Sequence, residues 1–323
     1  MDSLVSARAW RDGVPVEHAI TRNDLVTAAH DPDTLVWVDL LAPEASELAE
    51  VAEELGLPVT AVEDALAPKE RPKLIRHESH VFFTVYAVHR DGTRLGFSRV
   101  SGWMLPHALV TIRLDELFDV STVERRWKDS PALLAAGAGG LVHGLLDTVV
   151  DGHFAAIQTL DDALEAIEDT LFDDRPTSTA FARSVYALRK DLVALRRIVL
   201  PMREVVSGLL RHPGTDAPVL RPWYDDLYDH VLRASEWTES LRDLVTSAFE
   251  TNLSLTDARL NTIMKKLAGW AAIIAVPTAI TGWFGQNIPF PGDGQPLGLW
   301  LSAALILVCS LALYVAFRRR DWL

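Results

Sequence analysis

Gly285-Gln286-Asn287 sets accessible backbone carbonyls beside two neutral side-chain amides. Neutral oxygen acceptors suit a hard cation that keeps its water. Mg²⁺ dehydrates reluctantly, so hydrogen bonds to its hydration shell hold it without tight carboxylate ligation. A conducting site must also release what it binds. By composition alone the triplet reads rather as an ordinary polar turn. Asp293 is the sole charge between residues 285 and 296, and its carboxylate would draw cations toward such a site. A second candidate is a helical stripe in which Asn261, Ala268, Ala275 and Gly282 recur every seven residues. Met264, Ala271, Thr278 and Gly285 form its companion row. Small, weakly polar residues on one helix face either line a passage or let helices approach closely in lipid, and the spacing fits both.

Other chemistry-bearing groups are weaker candidates. His77 and His80 lie three apart with no third ligand in view, and read as sheet or surface histidines rather than a metal site. Residues 147–174 hold nine Asp or Glu and no Lys or Arg; a basic segment follows, with Arg183, Arg189, Lys190, Arg196, Arg197, Arg203 and Arg211. That pattern is either a charge-paired helical hairpin or a cation-sensing surface. No Gly-rich phosphate loop, Walker lysine or Gly-x-Ser-x-Gly nucleophile occurs, so the chain does not read as an enzyme or a nucleotide binder. A net charge of −13 argues against nucleic acid and suits cationic partners, although acidic surfaces also simply keep proteins soluble. Cys309 is the sole cysteine, which excludes a disulfide framework and a Cys-based zinc site.

Two charge-free runs must position these groups. Residues 267–284 supply 18 positions and residues 297–317 supply 21. A bilayer span needs about 20 predominantly apolar residues. Lys265 and Lys266 precede the first run, Arg318, Arg319 and Arg320 follow the second, and residues 285–296 contain neither Lys nor Arg. The positive-inside rule then puts both termini in the cytoplasm and the loop outside, in a multi-pass protein of the cell membrane. The start Met1-Asp2-Ser3 carries no basic, apolar leader, which agrees with a cytoplasmic N-terminal part. Trp270, Trp283, Trp300 and Trp322 fall near the span ends. Two spans cannot enclose a pore, so a channel built from this chain must be a ring of subunits. The second span, rich in Leu, Ile and Val, reads as the lipid-facing one.

The remainder reads as an α+β domain over residues 1–135, with a largely antiparallel sheet, followed by a helical region over 136–266. The membrane part is 267–317 with its external loop 285–296, and the basic tail is 318–323. Strands are expected at 34–40, 73–77, 80–89, 95–104 and 108–113, and helices at 43–55 and 59–66. Asp91-Gly92 is a hairpin signal. From Gly140 the pattern is helical, with a kink expected at Pro201. From Trp223 to Lys266 no Pro or Gly interrupts the periodicity, which predicts one helix of about 60 residues running into the membrane.

Several strings in this order resemble the CorA family of magnesium transporters: Val36-Trp37-Val38-Asp39-Leu40, Val62-Glu63-Asp64-Ala65, Arg71-Pro72-Lys73, Asp226-Leu227-Tyr228-Asp229-His230 and Leu260-Asn261-Thr262-Ile263-Met264-Lys265. The resemblance covers nearly the whole chain, and the interval from Asn261 to Asn287 fits it. It implies an α/β/α sandwich, a long stalk helix that becomes the pore helix, and a funnel-shaped homopentamer in the lipid bilayer. It further implies that Asn261, Met264, Ala271, Ala275, Thr278 and Gly282 face the pore. Gly285 and Asn287 would match the ends of the family's Gly-Met-Asn motif, where the hydrated ion is met. Asp226 falls where the family has an acidic residue at a subunit interface, at which cytoplasmic Mg²⁺ favours the closed state; Asp91 is a candidate partner. Mg²⁺ is thus implied both as cargo and as regulator. Gln286 replaces the motif's Met, as the zinc-transporting ZntB branch also does, which brings in Zn²⁺, Co²⁺ and Ni²⁺ and a proton-coupled zinc transporter as the alternative. Ala275 stands where a bulky apolar gate is common, and Pro277 comes one place late. A non-conducting, membrane-anchored cation sensor or scaffold is the reading from a different class.

Overall fold

The structure is a computed structural model and describes residues 4–16, 31–67, 70–91, 94–171, 179–211, 218–286 and 295–323. It forms two compact units, Met1–Thr246 and Ser247–Leu323.

The first unit is built on a seven-stranded mixed sheet. Its strands are β1 (Leu4–Arg11), β2 (Val14–Pro15), β3 (Leu35–Leu41), β4 (Lys73–Arg76), β5 (Val81–Asp91), β6 (Arg94–Met104) and β7 (Ala108–Arg113), in the order β2-β1-β3-β7-β6-β5-β4. Only β3 and β7 pair in parallel; every other neighbour pair is antiparallel. Alternation along the strands supplies two apolar faces, because successive side chains point to opposite sides of a sheet. On one face Val36, Val38, Leu40, Phe82 and Trp103 pack under α1 (Ala45–Glu54) and α2 (Val59–Leu66), which contribute Leu48, Val51, Ala61 and Ala65. On the other face Trp37, Phe83, Val85 and Leu109 pack under α3 (Val120–Asp129), α4 (Pro131–Ala135), the start of α5 (Ala138–Leu171) and α7 (Met202–Leu210). The result is the α/β/α sandwich that the resemblance implied. β1, α3 and α4 are elements that the sequence pattern does not announce. The Gly92 corner of the β5–β6 hairpin lies outside the described residues, but Asp91 pairs with Arg94 as such a turn requires.

A buried polar network fixes the parallel pair. Asp39 is fully buried on β3, and Arg113 of β7 donates from Nη2 to its Oδ2 at 2.6 Å and from Nε at 3.0 Å. Thr111 donates to Asp39 Oδ1 at 2.6 Å, and Trp37 Nε1 donates to Thr111 Oγ1 at 3.1 Å. The carboxylate thus meets a guanidinium and a hydroxyl together, which is how a buried charge becomes tolerable.

α5 is followed by α6 (Thr179–Val199). The two helices form a hairpin, and among the described residues no ion pair joins one to the other. Their apolar residues Leu160, Leu164, Val185, Leu188 and Leu192 are buried, while four of their charged residues pair with other elements. Asp147 and Asp151 pair with Arg126 of α3, Asp191 pairs with Arg94 of β6 at 2.6 Å, and Arg196 pairs with Glu239 at 2.5 Å. Pro201 ends the helix outright instead of kinking it: α6 stops at Val199 and α7 starts at Met202. Proline lacks the N–H that an interior helical position needs. α8 (Arg221–Phe284) is a single helix of 64 residues and crosses from the first unit into the second. α9 (Pro296–Arg319) is the last helix among the described residues.

Candidate functional site

The second unit is the end of α8 packed against α9. Along α8, Gly269, Ala272, Ile273, Val276, Pro277, Ile280 and Phe284 are at least partly covered. Along α9 the matching set is Ser302, Ile306, Cys309, Ser310, Leu313 and Phe317. Both sets step by three and four residues, the signature of a helix–helix seam. Gly269 is buried within the seam, and a Cβ there would come within 3.3 Å of Leu323 Cδ2. The chain end folds back to reach it: Trp322 donates its N–H to the Phe317 carbonyl at 3.0 Å, and the two rings stack with centroids 5.4 Å apart. Sequence reasoning missed this seam. Its one signal is the presence of Ser302, Cys309 and Ser310 at helical spacing in a span of large aliphatics.

At 3.6 residues per turn, the stripe Asn261, Met264, Ala271, Ala275, Thr278 and Gly282 lies close to half a turn away from the seam. All six are exposed in the single chain. Nothing lies within 4 Å of where a Cβ on Gly282 would stand. The apolar surface beside the stripe and on the outer side of α9 is also bare: Leu267, Ile274, Leu299, Trp300 and Leu307 each expose more than half of their area. Two helices long and apolar enough to cross a membrane are present among the described residues, and the apolar windows of both are almost wholly unburied. Core helices of a soluble fold would be covered, so this surface calls for lipid or further protein.

Local chemistry shapes the end of α8. Pro277 lies inside the helix and removes one interior N–H. Threonines around it occupy carbonyls: Thr278 Oγ1 donates to Ile274 O at 3.4 Å, and Thr281 Oγ1 donates to Pro277 O at 2.8 Å. Gly285 N–H closes a last turn onto Thr281 O at 2.9 Å, and Gln286 N–H reaches Trp283 O at 3.3 Å. Gly285 and Gln286 follow the helix end and are both exposed. Asn287 and Asp293 lie outside the described residues.

Asp226 sits near the start of α8 with its side chain 68% exposed, and His230 Nε2 is 3.9 Å from its Oδ2. Charged groups of α5 and α3 lie nearby. The imidazole of His143 is pushed down by burial and feels both Asp147 and Asp226. The carboxyl of Asp147 is pushed up by burial, against the pull of Arg126 and His143. Among the described residues no group of three or more His, Cys, Asp or Glu is arranged to hold a metal ion. One exposed carboxylate is by itself too few ligands for a resident Mg²⁺. The side chain of Asp91 lies outside the described ones. His77 and His80 stack with centroids 4.5 Å apart, and burial together with the neighbouring ring pushes His80 down to about 4. They are sheet-end histidines, as expected.

A long helix entering a two-helix hairpin with bare apolar faces, attached to an α/β/α body, is an arrangement with known counterparts. The family described as CorA-like Mg²⁺ transporter protein matches residues 32–319. The chain belongs to the CorA family. Members of this family are membrane transporters of Mg²⁺ and related divalent cations, and are not enzymes. YfjQ of Bacillus subtilis, named as a metal ion transporter, is 27% identical over 314 residues, covering 96% of this chain and 97% of its own. The cobalt/magnesium transport protein CorA of Thermotoga maritima is 26% identical over 322 residues, covering 95% of this chain and 89% of its own. The complete structure of the CorA magnesium transporter from Methanocaldococcus jannaschii superposes with a TM-score of 0.79 at 26% identity, covering 99% of both chains.

Proposed function

We propose that five copies of this chain form a channel in the cell membrane that conducts hydrated divalent cations, Mg²⁺ first among them. The observation that carries this reading is the face of Asn261, Met264, Ala271, Ala275, Thr278 and Gly282. It is turned away from α9 and has no partner within the chain among the described residues. Five such faces around an axis make a passage lined by small and weakly polar groups. Gly285, Gln286 and Asn287 then form a ring of neutral oxygen acceptors at its outer mouth, suited to the water shell of the ion. Both termini face the cytoplasm, with Lys265, Lys266 and Arg318, Arg319 and Arg320 at the inner surface. The membrane potential suffices as a driving force, because 100 mV favours entry of a double charge by about 4.6 kcal/mol.

In this reading residues 1–135 and 136–266 are the cytoplasmic regulatory body and residues 267–317 are the pore domain. Asp226 carries regulation: cytoplasmic Mg²⁺ bound between its carboxylate and a neighbouring subunit holds the closed state. Gln286 bears on which ion is preferred. It adds an amide donor where the family's usual Met has a thioether, so a ring of five presents donors as well as acceptors to the hydrated ion.

Flux into liposomes loaded with ion-sensitive dye tests the proposal. Wild type should pass Mg²⁺, and Asn287→Ala should abolish that flux. No flux of Mg²⁺, Co²⁺, Ni²⁺ or Zn²⁺ above the Asn287→Ala control would refute it. Zinc uptake that needs a pH gradient would replace it with a proton-coupled transporter. Cation-dependent conformational change without flux would replace it with a sensor.

A further inference from the structure

A cleft of about 550 Å³ opens in the first unit between β4 and α7, far along the sheet from the Asp39 network. Its charged lining is Arg71, Lys73, Arg76 and Arg211 with a single carboxylate, Glu204. Such a concentration of cations runs against a chain whose net charge is −13. The transport reading gives these residues no task, although Arg71-Pro72-Lys73 is one of the strings that carry the resemblance.

The cations are not equivalent. Lys73 is committed to Asp64 at 2.8 Å and Glu70 at 3.1 Å. Arg76 donates to the Gly208 carbonyl in the last turn of α7. Arg71 and Arg211 are exposed, and among the described residues neither has an ion-pair partner. Two further features open the cleft to a ligand. β4 is an edge strand, so part of its backbone N–H groups point away from β5. Gly208 sets the width, because a Cβ there would meet Leu74 Cδ2 at 3.0 Å. The volume lies within the range of about 300–1,000 Å³ usual for small-molecule sites.

We propose that this cleft binds a phosphate-bearing small anion through the guanidinium groups of Arg71 and Arg211. The planar fork of arginine matches phosphate oxygens two at a time, which a lysine ammonium cannot do. Inorganic pyrophosphate and ADP are the probes; they share the phosphate chemistry and differ in whether a nucleoside is attached.

Calorimetric titration of the full-length protein in detergent, in metal-free buffer at low salt, tests this independently of transport. One saturable site per chain is expected for pyrophosphate or ADP, weakening as salt rises. Binding of both means the phosphates alone are read; binding of ADP alone means the nucleoside is read as well. Arg71→Gln combined with Arg211→Gln should weaken binding at least about tenfold without moving Tm, since two charge-assisted contacts are lost. Glu204→Gln should tighten it by about two- to fivefold, a gain that misfolding cannot produce. Absence of saturable binding at millimolar anion would overturn the proposal, as would equal affinity in the double arginine variant. Binding of poly-glutamate that pyrophosphate fails to displace would overturn it in favour of an acidic protein partner.

Discussion

Removing the carboxylate of Asp39 should be among the most damaging single changes in the first unit. Asp39 is fully buried and Arg113 is 4% exposed, so Asp39→Ala leaves a guanidinium in the sheet without its counter-ion. Three Arg113 contacts to the carboxylate disappear, at 2.6, 3.0 and 3.2 Å, together with the 2.6 Å bond from Thr111. The remaining bonds from Arg113 Nη1, to the Phe118 carbonyl at 3.1 Å and the Asp115 carbonyl at 3.5 Å, go to uncharged backbone oxygens. Breaking a buried pair from one side costs about 3–5 kcal/mol. For a folding unit of this size each kcal/mol moves Tm by about 2–4 °C, so a fall of roughly 6–20 °C is expected. Thermal unfolding followed by tryptophan emission suits the measurement, because Trp37 is bonded to Thr111 inside the same network. Asp39→Leu combined with Arg113→Met supplies the control. It removes both charges at similar volume and should recover much of the loss, because no orphaned charge remains. An Asp39→Ala protein melting within about 2 °C of wild type would refute the reasoning, since it would show that Arg113 does not depend on its buried counter-ion.

Three further outcomes follow from particular contacts. Gly140→Ala would put a Cβ 1.8 Å from the backbone carbonyl oxygen of Leu133, which cannot swing aside, so α4 and α5 must separate; a loss of at least about 1–3 kcal/mol is expected in denaturant unfolding. His153 is buried, donates Nε2–H to the Tyr86 carbonyl at 2.8 Å, and is pushed down by burial from 6.5 to about 4. The unfolded chain therefore takes up a proton that the fold refuses; stability is complete above pH 6.5 and falls as pH drops toward 4, by about 1.4 kcal/mol for each step of one in pH. Comparing Tm at pH 6.5 and 4.5 for wild type and His153→Gln checks this, and parallel losses in the two proteins would exclude the histidine as a source. Asp226→Ala should leave the channel conducting at cytoplasmic Mg²⁺ concentrations that close the wild type, and unchanged Mg²⁺ inhibition in liposome flux would remove Asp226 from the regulatory role.

Local rules make much of the fold legible. α2 occupies residues 59–66 as the apolar spacing and Pro58 require, and β7 occupies 108–113. α8 is readable because nothing between Trp223 and Lys266 interrupts its periodicity. The misses share a physical cause. α3 has only ten residues, and just Val123 and Trp127 of its turns are buried, too little apolar repetition to stand out beside Arg125, Arg126 and Lys128. The destinations of charges are not legible at all. Asp39 and Arg113 lie 74 positions apart, and Arg94 and Asp191 lie 97 apart, so neither pair leaves a mark on local pattern. For that reason an acidic helix followed by a basic one suggests pairing along their own hairpin, whereas the charges go to α3, β6 and α8.

The candidate site divides along the same line. Periodicity marks a stripe of small residues on α8, but helix packing and pore lining both demand small residues, so the pattern cannot choose. On the proposed reading the two demands fall on different faces of α8. Gly269, Ile273, Val276 and Ile280 lie on the covered side of α8, and a Cβ on Gly269 would come within 3.3 Å of Leu323 Cδ2 and 3.7 Å of Phe317 Cδ2. Ala271, Ala275, Thr278 and Gly282 stay on the far side, uncovered. Facing lipid, such residues would gain little, because their small side chains offer hydrocarbon chains few contacts and lipid provides no hydrophobic drive for exposing them. Facing copies of themselves around an axis, the same residues leave room for a hydrated ion, and the hydroxyl of Thr278 and the amide of Asn261 are the groups that can hydrogen-bond its water. On the pore reading proposed above, this uncovered face of mostly small residues is therefore the one that copies of the chain would turn toward a shared axis.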